Sequence, residues 1–289
     1  MDFFRFDDPQ IFHTRVERLL LKQEVINQLP LGIIHSLINR DLPTLLESPP
    51  LMAYVGSEAD PRLVLVMTPP QNLIICGSDE ALDETLSIAL EGIRNVHVPG
   101  FIGAAELVNP FVHMCEEKFG VKTEVKMKQR IYRLDRVQPI EVCLGHLRVA
   151  KLRDSQYIEK WYTAFSLEAL NEAILEEKVK QQVKLGIAAE AIHVWEVDGQ
   201  PVSMAKCSRP TDNGITVTLV YTPPEHRGHG YASSCVKALS EKLLKQGFTY
   251  CTLYTDLANP TSNKIYQAIG YYPIADSLAY QVVNDEYQF

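Results

Sequence analysis

The clearest pattern of apolar and polar positions lies in residues 215–222, which alternate β-branched and aromatic side chains and predict a strand. Pro223 and Pro224 end this strand, because proline has no amide hydrogen to donate to a neighbouring strand. Beyond them, apolar residues recur at three- and four-residue spacing and predict a helix; they are Ala232, Cys235, Val236, Leu239 and Leu243. Residues 248–255 then predict a strand and residues 259–269 a helix.

The rest of the second half predicts four strands and two helices before and after this unit. A strand over 147–152 is followed by two helices, 155–170 and 175–187, the second of which Gly186 could end early. Asp198-Gly199 separates two alternating runs, 192–197 and 201–207, and predicts a hairpin, because Asp-Gly favours the tight turns that match strand twist. A final strand follows the last helix.

The first half has a similar mixture of patterns. Residues 9–48 predict helices, with Pro30 and Pro43 as interruptions. Downstream, the pattern predicts strands and helices in the order strand 51–55, strand 63–67, strand 73–76, helix 79–91, a short strand ending at Gly100, helix 104–118 and strand 123–134.

The pattern lapses between Asp135 and Gly145, which indicates a domain boundary. The sequence therefore predicts an α/β (α+β) protein with two domains, 1–137 and 138–289, each built on a mixed, mostly antiparallel sheet. The segment from Val96 to Leu134 also predicts strand, glycine-containing turn, helix and strand, which is the order of the central unit of the second half and suggests an internal repeat.

Composition and charge exclude several classes of function. The 289 residues carry a formal net charge of −8, whereas a protein that binds nucleic acid needs a basic surface. The six cysteines form no Cys-x-x-Cys pair and lie mostly in apolar runs, so we expect reduced core residues and a cytoplasmic protein. We also expect no signal peptide, no membrane-spanning segment, no membrane partner and no metal site.

The turn from Arg227 to Ala232 carries the clearest candidate chemistry. Two glycines in a turn that opens a helix leave backbone amides unpaired and directed at one point, which favours an anion such as phosphate. The sequence has no Gly-x-x-x-x-Gly-Lys-Ser/Thr run, so it is not a P-loop. A dinucleotide fingerprint would require glycine at Ser233 and an earlier acidic residue than Asp256.

Residues 220–232 and 259–271 resemble the acetyl-CoA-binding and catalytic motifs of the GNAT superfamily of N-acetyltransferases. Arg227, Gly230 and Ala232 match the family's Arg/Gln-x-x-Gly-x-Gly/Ala turn. The resemblance covers most of residues 145–289, including the strand order, and implies an acyl-CoA N-acyltransferase fold there. The first half resembles the divergent GNAT-like repeat of tandem family members, and we expect it to be non-catalytic.

The resemblance also implies which residues would hold acetyl-CoA as co-substrate. It places the pyrophosphate on the amides of the glycine turn, and it lays the pantetheine arm along β-strand residues where the sheet must open. Asn259 and Ser262 would contact the cofactor from the last helix. The remaining cofactor-binding positions are Leu219, Val220, Tyr221, Thr222, Arg227, Gly228, His229, Gly230, Tyr231, Ala232 and Ser233.

Tyr266 matches the family tyrosine that protonates the departing thiolate, and a phenol is neutral at pH 7 and chemically suited to this. The implied reaction is direct attack of a primary amine, from a small molecule or peptide, on the acetyl thioester. Glu196 and Asp212 are the nearest candidates for a general base, with a relayed water as the alternative. A non-catalytic acyl-CoA-binding regulatory module is the alternative function, and a homodimer is compatible with the sequence.

Overall fold

The computed structural model describes residues 1–39, 48–78 and 82–283. Pro43, the predicted interruption of the helices over 9–48, and Asp79, the predicted start of the helix over 79–91, lie outside these ranges. The described strands are β1 Asp2–Phe6, β2 Leu51–Gly56, β3 Pro61–Met67, β4 Leu73–Gly77, β5 Gly100–Ala104, β6 Thr123–Leu134, β7 His146–Val149, β8 Ile192–Val197, β9 Gln200–Ser208, β10 Gly214–Tyr221, β11 Tyr250–Asp256 and β12 Tyr272–Val282. The helices are α1 Pro9–Leu21, α2 Gln28–Asn39, α3 Leu82–Gly92, α4 Ala105–Phe119, α5 Ser155–Leu170, α6 Glu176–Ala188, α7 Tyr231–Lys245 and α8 Pro260–Ile269.

The chain divides into two compact units, the first of residues 1–131 with 274–289 and the second of residues 132–273. The chain passes into the second unit within β6 and returns within β12. The domain boundary at residues 137–138 stays a prediction. The C-terminal strand belongs to the first unit because residues 277–281 of β12 pair antiparallel with β5.

Among the described residues, each half of the chain has the same order of elements from β1 to β6 and from β7 to β12. This order is strand, two helices, three strands, helix, strand, helix and strand. An internal repeat is therefore present, but its register differs from the one predicted. The segment of the first half that corresponds to the glycine turn joins β4 to α3, because it follows the third strand of an antiparallel meander. It does not lie at Gly100 and Gly103.

In the first unit the strand order is β1-β2-β3-β4-β5-β12-β6. β2 to β4 form the predicted antiparallel meander, and β4 pairs parallel with β5. The predicted strand that ends at Gly100 is wrong, since β5 begins there. Both glycines belong to β5, where close contacts leave no room for a side chain. A Cβ atom at Gly100 would stand 2.2 Å from the Tyr280 carbonyl oxygen, and one at Gly103 would stand 2.3 Å from the Ile75 carbonyl oxygen.

In the second unit the strand order is β11-β10-β9-β8-β7, antiparallel except for the β10–β11 pair. Asp198 and Gly199 have φ of 48° and 78°, as the predicted tight hairpin turn requires. The strand predicted over 147–152 is shorter, because residues 152–154 turn into a short 3-10 segment before α5. Gly186 does not end α6, which continues to Ala188.

Apolar side chains cover both faces of this second sheet. On one face α7 and α8 pack over β10 and β11, with Val217, Leu239 and Ile269 in the core. On the other face α5 and α6 pack over β8 to β10, with Trp161, Val183 and Tyr221 in the core. Strand β10 therefore lies between two helical layers, and both sides of its C-terminal end are shaped by helices.

Candidate functional site

Strands β10 and β11 separate where the family resemblance implies an open sheet. Their parallel pairing joins residues 214–216 with residues 250–252 and stops there in the described chain, although β10 continues to Tyr221 and β11 to Asp256. On its other side β10 shifts register against β9 between Thr218 and Tyr221, and Leu219 has φ of 51°. The bulge interrupts the β9–β10 pairing at residues 219 and 220, in the part of β10 that β11 does not pair with.

The turn after β10 contains the two glycines in left-handed backbone conformations. Gly228 has φ of 83° and Gly230 has φ of 78°, a region that side chains other than glycine rarely adopt. A Cβ atom built at either position meets nothing within 4 Å, so the space beside the main chain is open. The glycines therefore serve the shape of the turn and access to its amides, and not internal packing.

Helix α7 begins directly behind this turn with unsatisfied amides. Its N-cap is Gly230, which has no side chain to accept a hydrogen bond, and the Ser234 amide is the first to bond within the helix, to the Gly230 carbonyl oxygen at 3.0 Å. The amides of Tyr231, Ala232 and Ser233 are left without an intrahelical acceptor. The first turn of α7 has no acidic residue to neutralise the positive end of the helix dipole.

Three side chains from separate elements meet beside the turn. The Glu168 carboxylate accepts a hydrogen bond from Tyr221 Oη at 2.7 Å and one from Arg227 Nη2 at 2.6 Å. The Arg227 guanidinium lies over the Tyr221 ring, 5.6 Å from its centroid, and its Nε donates to the Thr222 carbonyl oxygen at 2.9 Å. Sequence reasoning missed Glu168, which is 53 residues from Tyr221, and no local motif marks it.

This cluster shifts the pKa of two of its members. Burial would raise the pKa of Glu168, but hydrogen bonds from Tyr221 and Arg227 and the charge of Arg227 lower it below its ordinary value. Burial and the hydrogen bond to the Glu168 carboxylate raise the pKa of Tyr221 to about 12. At neutral pH the carboxylate is therefore ionised and the phenol is protonated.

The second predicted motif forms the start of α8. Asn259 is the N-cap, and its side-chain oxygen accepts a hydrogen bond from the Ser262 amide at 3.1 Å. Pro260 occupies the first helical position and Gly270 ends the helix with φ of 112°. These local features are the ones that the sequence predicts, because a polar N-cap, an early proline and a C-terminal glycine each satisfy a backbone requirement of a helix end.

Tyr266 lies almost entirely inside the core on α8. It is 8% exposed, and its ring meets the Tyr271 ring edge-on at a centroid distance of 6.1 Å. Burial raises the pKa of its phenol to about 12, although a hydrogen bond with the Ser262 side chain acts in the opposite direction. The phenol therefore keeps its proton over the whole physiological range of pH.

The other predicted site residues lie at the end of β10 and at the start of α7. Leu219 and Tyr221 pack on the α5 and α6 side of the sheet, whereas Val220 packs on the α7 side. Thr222 Oγ1 lies 2.9 Å from Ser203 Oγ at the end of β10. The His229 ring lies 5.4 Å from the Tyr231 ring, so both flank the start of α7.

Neither predicted base candidate is free beside the opening. Glu196 forms an ion pair with Arg148, which also makes two hydrogen bonds to the Asp154 carboxylate at 2.7 Å and 2.9 Å. Asp212 is exposed in the turn before β10, at the opposite end of that strand from Tyr221. The positions of these two carboxylates favour the relayed water over either of them.

The corresponding segment of the first unit differs in the features that matter for an anion. β4 ends at Gly77, and the sequence continues Ser-Asp-Glu-Ala81, of which residues 79–81 lie outside the described ranges. The first turn of α3 carries Asp83 and Glu84, which neutralise the positive end of its dipole. Pairing between β4 and β5 ends only two residues before the end of β4, so no comparable opening exists among the described strands.

Comparison with known families identifies this part of the chain. Residues 149–271 match the model of the family described as "Acetyltransferase (GNAT) family". These residues form a GNAT domain. The match includes the glycine turn, α7 and α8, and it confirms the predicted family resemblance of the second half.

Solved structures with the GNAT fold align over almost the whole chain. A GNAT-family acetyltransferase from Colwellia psychrerythraea has 11% identity and a TM-score of 0.60, covering 98% of this chain and 100% of its own. A GCN5-related N-acetyltransferase from Sphaerobacter thermophilus has 10% identity and a TM-score of 0.64, covering 96% and 94%. A tandem GNAT protein from the clavulanic acid biosynthesis pathway has 11% identity and a TM-score of 0.59, covering 98% of both chains.

At these identities the structural likeness establishes the fold alone, and it confirms the predicted fold class. No curated protein matches the sequence significantly. Within residues 1–39, 48–78 and 82–283, no cluster of three or more histidine, cysteine or acidic side chains could hold a metal ion. No helix of the described chain combines the length and apolarity needed to cross a bilayer.

Proposed function

We propose that the GNAT domain binds acetyl-CoA at the glycine turn and transfers its acetyl group to a primary amine of a small molecule or peptide. The observation that carries this proposal is the start of α7, where open space, two left-handed glycines and three unpaired amides adjoin a helix end that has no acidic residue. These features suit a diphosphate, because its negative charge would be stabilised by both the amides and the helix dipole.

The opened sheet supports the same proposal. β11 does not pair with residues 219–221 of β10, so this edge of β10 is available to an extended ligand that pairs as an additional strand. We assign the pantetheine arm to this edge, and we assign polarisation of the thioester carbonyl to an amide at Val220 or Tyr221. Asn259 and Ser262 at the start of α8 are assigned to the opposite wall.

Bound acetyl-CoA would supply the acetyl group as a thioester. In the proposed transfer the amine nitrogen forms a bond to the carbonyl carbon and the carbon–sulfur bond breaks. Tyr266 gives its phenolic proton to the leaving sulfur, and the amine loses a proton to water. The Tyr266 phenol carries its proton at neutral pH, as this role requires, and burial, which raises its pKa to about 12, makes it a weaker acid than a free tyrosine.

We also propose that the first unit does not bind the cofactor. Its corresponding helix begins with two acidic residues, which would repel a diphosphate, and its neighbouring strands stay paired almost to their ends. One cofactor per chain is therefore expected. We propose a cytoplasmic location on the cysteine usage alone.

The near-complete burial of Tyr266 favours a second candidate function, a non-catalytic acyl-CoA-binding module. A phenol with 8% exposure is also what a packing tyrosine shows. The two candidates share the glycine turn and differ in turnover. An assay for free thiol release with a panel of primary amines separates them, because a binding module releases no CoA.

The test of the cofactor site is isothermal titration with acetyl-CoA, with a nicotinamide dinucleotide as the negative control. We expect one site per chain in the wild type and none in Gly230→Trp. Gly199→Trp is a matched control, since Gly199 also has φ of 78° and open space around it but lies in the β8–β9 hairpin. Binding that survives in Gly230→Trp, or two sites per chain, would contradict the assignment.

A further inference from the structure

Glu168 connects the first helix of the GNAT domain to both segments that are proposed to hold the cofactor. Its Oε1 accepts from the phenol of Tyr221, the last residue of β10, and its Oε2 accepts from Arg227, the first residue of the glycine turn. One carboxylate on α5 therefore ties the proposed thioester position to the proposed diphosphate position.

This ion pair places the negative charge of Glu168 beside the proposed diphosphate site, which favours a positive charge. While Glu168 neutralises Arg227, the guanidinium offers little net charge to a phosphate at the turn. Another anion can displace Glu168 from Arg227, because an exposed ion pair is weak. The side chains of Arg227 and Glu168 are 48% and 46% exposed. A diphosphate held by fixed amides carries more charge than one carboxylate and can replace it at Arg227.

Exchange at Arg227 would leave Glu168 with Tyr221 as its remaining partner. The carboxylate would then be an anion without a charged partner, held by the phenol of Tyr221, the residue whose main chain is assigned to the thioester end of the cofactor. The hydrogen bond from Tyr221 favours the ionised form of Glu168, which makes the carboxylate a counter-ion at neutral pH and a weak proton acceptor. An unpaired carboxylate in this position attracts a cation.

We propose that Glu168 binds a cationic group of the acceptor amine, and that the cofactor diphosphate uncovers Glu168 by taking over Arg227. The inference rests on the proposed function and narrows it. The acceptor class is amines that carry a second positive charge, and the cofactor binds before the acceptor. Glu168 is a binding residue in this scheme and exchanges no proton with the substrate.

The first test measures the competition for Arg227 by titrating CoA into variants. Glu168→Gln keeps the shape of the side chain and removes its charge, so CoA should bind about three- to tenfold more tightly. The gain should disappear when Arg227→Gln is also present, because the two effects act through one contact. Glu159→Gln, on the same helix, should leave CoA affinity unchanged. Unchanged or weaker CoA binding by Glu168→Gln would overturn the inference.

The second test uses 1,4-diaminobutane as the probe for the acceptor, titrated into CoA-saturated protein. We expect saturable binding to the wild type and to Glu159→Gln, about tenfold weaker binding to Glu168→Gln, and weaker binding to CoA-free wild type. Binding of 1-aminobutane, which lacks the second cation, should be insensitive to Glu168→Gln. Diamine binding that is absent, or equal in wild type and Glu168→Gln, would overturn the inference.

The opposite signs of these two effects separate a binding role from a structural one. A loosened site would weaken CoA and diamine together, whereas the exchange strengthens the first and weakens the second. Failure of the inference is also distinct from failure of the proposed function. Acetyl-CoA binding that is lost in Gly230→Trp would uphold the cofactor site even if Glu168→Gln has no effect, and absence of acetyl-CoA binding by the wild type would overturn both.

Discussion

The hydroxyl groups of Thr216 and Thr252 lie 3.0 Å apart at the last residue pair that joins β10 to β11. Both side chains are fully buried. Beyond this pair the two strands separate, so the hydroxyl pair marks the point at which the opening of the sheet begins. Each hydroxyl depends on the other, because no water reaches a fully buried side chain to replace a lost partner.

Replacing one hydroxyl of this pair should cost more than replacing both. In Thr216→Val the Thr252 hydroxyl stays buried without its partner, and we expect the free energy of unfolding to fall by about 1–3 kcal/mol. In the double variant Thr216→Val/Thr252→Val the loss should be much smaller, because no unsatisfied hydroxyl remains. Urea denaturation of the three proteins measures these differences. Additive losses in the double variant would show that the pair is not a coupled unit.

Tyr266→Phe should lower turnover strongly and preserve cofactor binding. Removal of a general acid lowers kcat by about 10²- to 10⁴-fold, while CoA affinity should stay within about threefold of the wild type. Because the pKa of Tyr266 is raised to about 12, the wild type should show no loss of activity from this group up to about pH 11.

The control for Tyr266→Phe is Tyr271→Phe. Tyr271 packs against the same ring and bonds through its phenol to Ser240 at 2.9 Å, so its loss should lower stability without stopping thiol release. Turnover in Tyr266→Phe equal to a measurable turnover of the wild type would show that Tyr266 packs in the core and is not the general acid. Absence of thiol release from the wild type as well would favour the non-catalytic module.

Asn259→Ala should lower both stability and activity through the end of α8. The variant loses the side-chain acceptor of the Ser262 amide, and removal of such a cap costs about 1 kcal/mol of unfolding free energy. Asp8→Ala is the matched control, since the Asp8 side chain caps α1 by accepting from the amides of Gln10 and Ile11. Both variants should lose similar stability, and thiol release should fall only in Asn259→Ala. A similar fall in Asp8→Ala would attribute the effect to general destabilisation.

His193 should make the stability of the protein depend on acidic pH. Burial and the neighbouring charge of Lys242, whose Nζ lies 2.8 Å from His193 Nε2, lower the pKa of His193 to about 4. An unfolded chain binds a proton at this residue near pH 6.5, so between pH 6.5 and 4 the unfolded state holds more protons. Stability should therefore fall by roughly 1–3 kcal/mol as the pH drops through this window.

The measurement is urea denaturation at pH 7, 5.5 and 4.5 for wild type and His193→Gln. The fall in stability should be smaller in the variant, because glutamine has no proton to bind. His113→Gln serves as the control, since the His113 side chain is 74% exposed. Parallel pH profiles for wild type and His193→Gln would contradict the assignment.

The sequence alone determined the parts of the site that depend on neighbouring residues in the chain. Both ends of helix α8 could be predicted from the sequence. Asn259 and Pro260 meet backbone requirements of the first turn, and Gly270 meets that of the last turn. The left-handed turn before α7 could be predicted for the same reason, since the requirement for glycine lies in the residue itself. The hairpin at Asp198 follows the same rule.

The contacts between distant segments follow from packing in the folded chain. Strand β12 pairs with β5, which lies more than half the length of the chain before it, and no pattern within either strand predicts this pairing. The true position of β5 was missed because Gly100 and Gly103 resemble turn glycines in sequence, whereas close approach to the Tyr280 and Ile75 carbonyls is what requires them. The contact of Glu168 with Arg227 joins residues 59 positions apart through a helix that covers the sheet. Side-chain periodicity and turn chemistry report on local backbone geometry, and pairing between strands and helices depends on packing that only the folded chain brings about.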